Sequence, residues 1–241
     1  MLRCLAIALG LLISLGGCVS VNYASLAPGS FSGRVFVMWV GEGGSSGDGN
    51  FLFVPDPNQP LIFRRQNPNS PGAFIQPGMM YTDGGSIPRI AQVFKGLSPW
   101  GYAPAYMIHD WLFVARHCIV DNKDDGRFKD VRNVDFTNSV EILGEAIRAL
   151  VASNQVKKDD VAASAITAAV GSFVAKNQWD AHGQCEDPIS TIKPADLAQV
   201  KAALPGVSEA RLLHSFNLAP GTPRVNPGRP AKIIATVDFG R

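Results

Sequence analysis

The sequence predicts an α+β domain, and three observations carry that expectation. Short runs of β-branched and aromatic residues crowd into the stretch before residue 83, where turn-formers separate them. After residue 83, apolar residues recur at helical 3, 4 spacing. Hydrophobic residues make up 46% of the 241 positions and charged residues 17%, a balance that supports a packed core rather than a disordered chain.

The elements follow in order. Residues 34–40 (RVFVMWV) are rich in β-formers and predict a strand. Residues 41–50 form a glycine-rich loop, which lacks the lysine and the following helix that a phosphate-binding loop needs. Residues 51–54 and 61–65 predict two more short strands, split by Pro55-Asp56-Pro57-Asn58. Residues 66–72 are turn-rich, and 73–82 hold one further extended segment. Residues 87–95 predict a short helix with Pro88 in its first turn. Residues 102–117 predict a longer one, with Ile108, Trp111, Leu112 and Ala115 at helical spacing. Residues 120–130 form a charged loop without the glycine and glutamate positions of a calcium-binding helix–loop–helix. Phe136, Val140, Leu143, Ile147 and Leu150 mark an amphipathic helix. One alanine-rich helix is expected over 159–176, others over 194–204 and 208–216, a break over 220–230, and a closing strand over 232–237. The expectation is a single domain over 33–241: short N-terminal strands packed on a helical core at 83–150, with additional C-terminal helices.

The first residues have a different character. Arg3 supplies a charge, residues 4–15 are almost unbroken apolar, and Leu15-Gly16-Gly17-Cys18 follows. An apolar run of this length fits an export signal and is short for a spanning helix. Leu-Gly-Gly-Cys resembles the lipobox of bacterial lipoproteins. That resemblance implies removal of residues 1–17, acylation of Cys18, a lipidated tether over 18–32, and a membrane as the partner. Val19 replaces the aspartate of the inner-membrane retention signal of enteric bacteria, which implies the outer membrane, facing the periplasm. Cys118 and Cys185 then remain as an even pair in an oxidising compartment and are expected to form a disulfide. Neither lies in a C-x-x-C pair, so a zinc site is the weaker reading. The formal charge is +2, with no basic run or aromatic–basic patch, so nucleic acid is not an expected partner.

Three pieces carry the candidate chemistry: Thr82-Asp83-Gly84-Gly85-Ser86-Ile87-Pro88-Arg89, then Pro99-Trp100-Gly101-Tyr102, then Ile108-His109-Asp110-Trp111-Leu112-Phe113. Together they resemble the bacterial and phage family known as domain of unknown function 1353, over residues 77–150. Glu145-Ala146-Ile147 is similar to a further element of that family. Gly85 stands where the family has alanine, and Trp111 and Phe113 where it favours tyrosine. The family name supplies no function.

Adjacent helix residues diverge by about 100°, so His109 and Asp110 serve two neighbouring sites rather than one hydrogen bond. Asp110, with backbone carbonyls of the Asp83-Gly84-Gly85 loop, is a candidate oxygen-ligand set for Ca2+. His109 is a candidate base that takes a proton from water. A carboxylate on the facing helix (Asp135, Glu141 or Glu145) would orient its ring. The order glycine loop, His-Asp helix, second helix resembles secreted phospholipase A2, which implies a metal-assisted lipid or ester hydrolase. Tyr106-Met107-Ile108 stands where that family has paired cysteines, and the loop is not its calcium signature. The competing expectation is a non-catalytic envelope or phage-derived binding lipoprotein. There Asp83 is turn chemistry, Ser86 caps a helix, His109 bonds Asp83, and Asp110 pairs with Arg89 or Arg116. Trp100, Tyr102 and Trp111 are expected in the core. An open cleft at His109 favours the hydrolase; a buried and satisfied His109 favours the polar knot.

Overall fold

The structure is a computed structural model of the chain. It describes residues 19–41, 49–82, 101–124, 126–158, 160–187, 191–208, 210–212 and 226–240. The leader, Cys18, the Asp83-Gly84-Gly85 loop, Arg89, Trp100 and the short helix expected at 87–95 lie outside the described residues. In chain order the elements are β1 (Ser30–Ser32), β2 (Arg34–Val40), β3 (Asn50–Pro55), β4 (Ile62–Arg64), β5 (Phe74–Ile75), β6 (Met80–Thr82), α1 (Ala103–Val120), α2 (Phe136–Ala152), α3 (Asp160–Val170), α4 (Phe173–Trp179), α5 (Pro194–Ala203) and β7 (Lys232–Asp238). The fold class is α+β.

Two antiparallel sheets form, one in the order β1-β4-β5 and one in the order β6-β3-β2-β7. The extended segment expected within 73–82 is therefore two strands, and they belong to different sheets. The continuous apolar run of β2 has a simple cause: both faces of its sheet are covered. Successive side chains of a strand point to opposite faces. Val35 and Val37 join Phe53 in the core that includes α1 and α2. Phe36, Met38 and Val40 join Leu52 and Val54 in a second cluster with Leu197, Val200 and Leu204, which closes α5 over the other face. β7 is an edge strand, paired only to β2 and tied to it by Arg34, whose guanidinium reaches both Asp238 and Asp56.

Asp135 opens α2 as its N-cap: its side chain accepts from Asn138 N, and the Asn138 side chain answers on the cap residue's own amide. The helix then buries Val140, Leu143, Ile147 and Leu150, the predicted stripe. The single helix expected over 159–176 is broken. Gly171 and Ser172 end α3 and restart the chain as α4, with Ser172 accepting from Ala175 N as the new N-cap. Cys118 at the end of α1 and Cys185 form a disulfide with Cα atoms 4.4 Å apart.

The segment expected as a loose tether is a packed strap. Val19 N donates to Gly171 O at 3.0 Å. Arg148 donates to the carbonyls of Tyr23 and Ala24, and Tyr23 is buried. Leu26 sits over Gly144, where a Cβ would meet it at 2.3 Å. Val19, Val21, Tyr23, Leu26 and Phe31 pack on the core together with these hydrogen bonds, but their spacing follows neither a helical nor a strand period over the whole segment, which is why the sequence reads as loop.

Candidate functional site

A groove of about 850 Å³ runs between α1, β6 and the α3–α4 junction. His109, Asp110 and Phe113 line it from α1, Val174 and Gln178 from α4, and Glu186 closes one side. Glu186 follows the disulfide cysteine Cys185. That loop is held further by Asp121, which accepts from Gly183 N at 2.7 Å and Cys185 N at 2.9 Å. These two bonds favour the ionised carboxylate and hold its pKa below the ordinary value.

His109 is 9% exposed. Its Nε2 is buried and has no hydrogen-bond partner among the described residues. Its Nδ1 lies 3.9 Å from Asp110 Oδ1, beyond hydrogen-bond length. Its ring packs on Phe113 with centroids 4.9 Å apart. Tyr106, three residues back, shares this helix face. Its hydroxyl is also buried and without a partner among the described residues. Burial first, then Tyr102 and the Asp110 charge, push the Tyr106 pKa up, so the phenol stays protonated. The spacing of 106, 109, 110 and 113 is i, i+3, i+4, i+7, so one stripe of α1 carries all four groups.

The structure separates the other residues singled out in the sequence. Asp135 does not orient His109; it is spent capping α2. Glu141 does not either: it pairs with Arg65 at 3.0 Å, and Arg65 also takes Glu145 at 2.8 Å. Arg65 donates to Pro71 O as well, so the two glutamates pin the loop after β4 to α2. The sequence offers Glu141 and Glu145 as orienting acids for His109, but their partner Arg65 lies some 80 residues earlier in the chain, and no local pattern reports that contact. Of the expected cation ligands, Asp110 lines the groove, whereas Asp83, Gly84 and Gly85 lie outside the described residues. Among the described residues, no group of three or more His, Cys, Asp or Glu side chains is placed to hold a metal. Tyr102 and Trp111 are core residues, as expected.

No protein-family model, no curated protein and no solved structure shows significant similarity to the chain. The chemistry is therefore read from the groove itself. It offers an apolar channel, a histidine whose Nε2 has no partner among the described residues, and a carboxylate one residue along.

Proposed function

We propose that the protein is an envelope lipoprotein, anchored in the outer membrane by lipid on Cys18 and facing the periplasm. Its groove admits an acyl chain, and His109 serves as the base in hydrolysis of a lipid or ester. The observation that carries the catalytic reading is that His109 lines an apolar groove and its buried Nε2 has no hydrogen-bond partner among the described residues. A buried polar atom without a partner costs about 1–3 kcal/mol. A polar knot exists to avoid that cost and would satisfy both ring nitrogens. A water at Nε2 gives its proton to the ring while its oxygen attacks the ester carbonyl carbon. The carbonyl π bond opens, then re-forms as the C–O bond to the alcohol breaks, and the alcohol leaves with the proton from the ring. Asp110, 3.9 Å from Nδ1, favours the transient imidazolium by charge. Calcium is the proposed cofactor: Asp110 and the carbonyls of Asp83, Gly84 and Gly85 would hold it, and it would supply charge that polarises the ester carbonyl. The Cys118–Cys185 disulfide supports the export reading, because such bonds persist in oxidising compartments.

A second reading, a binding lipoprotein that holds an apolar ligand without cleaving it, is favoured by one observation. No carboxylate lies within hydrogen-bond distance of either His109 nitrogen among the described contacts. The decisive experiment follows release of fatty acid or alcohol from phosphatidylcholine and from simple esters, with and without calcium. Wild type should turn over at least one of them and His109→Ala none. Ligand binding without product in wild type would move the assignment to the binding protein.

A further inference from the structure

Val19 is held at a defined place, its amide bonded to Gly171 O at 3.0 Å. A Cβ at position 171 would meet Val19 O at 2.5 Å, so only glycine permits this approach. Two residues beyond Gly171, a distance of at most about 7 Å along the chain, α4 opens with Phe173 and Val174. These are 57% and 70% exposed, the most exposed large apolar side chains among the described residues. Val174 also lines the groove, so the patch forms part of its rim. We propose that Phe173 and Val174 insert into the phospholipid bilayer, so that the groove opens onto the membrane and draws an acyl chain from it.

This proposal rests on the lipid-anchor reading, which would put acyl chains one residue before Val19. The strap then leaves no slack: the anchor, Gly171 and the first turn of α4 stand together at the interface. Charge chooses the part of the lipid that is contacted. Lys176 is paired with Asp180 and Arg132 with Asp124, so these two cations are matched, Arg116 lies over the Trp179 ring, and the uncharged pair Phe173 and Val174 meets the apolar region rather than anionic headgroups. Two side chains are also too few for a stable protein interface, which needs on the order of 1,000 Å². They suffice as a shallow wedge beside acyl chains that already supply the affinity.

The test uses the full, processed protein in phosphatidylcholine vesicles, with a photoreactive benzophenone side chain replacing Phe173 or, as control, the exposed Ile234 of β7. Adducts are identified by mass spectrometry, together with the state of Cys18. The expected result is lipid adducts at position 173 many-fold above those at 234. Acylated Cys18 with equal lipid adducts at both positions would overturn the wedge and leave the anchor standing. Adducts from 173 to a second copy or to this chain's own residues would do the same. An unmodified Cys18 on the mature protein would overturn the anchor, and the wedge with it.

Discussion

His109 spends stability. Its Nε2 is buried without a partner among the described residues, while the ring packs well on Phe113. Replacing such a group with an apolar one of similar shape removes the desolvation penalty and keeps most of the packing. His109→Leu should therefore melt at or above the wild-type temperature and lose turnover, the usual signature of a site that trades stability for function. A drop of about 1–3 kcal/mol in chemical denaturation would instead identify a satisfied structural histidine. Tyr81 is the contrasting case, a residue whose polar group is spent on structure. Its hydroxyl donates to Asp196 at 2.6 Å and accepts from Lys193 N at 3.0 Å, joining β6 to the start of α5. Burial, then the Asp196 hydrogen bond, push its pKa up to about 12. Because the folded value lies above the unfolded one, this contribution is complete below about pH 10 and is lost as pH rises through about 12. Tyr81→Phe should cost roughly 1 kcal/mol near neutrality, at the low end for a bond to a charged group because the site is only half-buried. It should also flatten the stability loss between about pH 10 and 12 that wild type is expected to show. An unchanged alkaline profile in denaturant melts would remove Tyr81 as its cause.

At the scale of elements, the α3–α4 break shows what the sequence carries and what it hides. β2 and the stripe of α2 were legible because pattern reports burial directly: five β-formers in seven residues, and five apolar residues at 3, 4 spacing. Gly171 was not, because one glycine in an alanine-rich run costs only about 1 kcal/mol and a helical pattern absorbs it. Its reason lies elsewhere in the chain, in Val19, and long-range contacts leave no local pattern. Asp135 was misread for the opposite reason. It is an acid before an apolar run with a side-chain partner three residues on, the signature of a helix cap. Gly171→Val should push Val19 off the helix junction. Faster amide exchange over 19–26 is the expected readout, with protection in α1 unchanged; wild-type exchange there would show that the strap does not depend on this approach. The disulfide acts on the same scale. Closing a loop with a sequence separation of 67 should stabilise the fold by roughly 2–4 kcal/mol. Replacing Cys118 and Cys185 together by serine should cost that much and loosen the groove wall at Glu186. Melts equal to wild type would mean that the Asp121 contacts hold the loop without it.

For the whole molecule, the two sheets and α5 form a scaffold, and α1 lies between that scaffold and the α3–α4 junction. This arrangement places His109, Asp110 and Phe113 of α1 along the groove, and it brings the strap, through Val19 and Gly171, to the groove's rim. Part of the candidate site is readable in the sequence: His-Asp on a helix, and the cysteine pair that closes the loop before Glu186. The far wall, from Val174 to Gln178, is built by residues 65 to 69 positions away, and only the fold joins them to His109. Lipid or ester chemistry here requires that His109 Nε2 meets a ligand in this groove. Imidazole NMR tests it most directly, with a non-hydrolysable ether phospholipid as ligand and the exposed His182 as internal control. The prediction is that the ring signals of His109 shift on ligand addition while those of His182 stay fixed. A His109 signal that ignores a ligand shown to be bound would contradict the account.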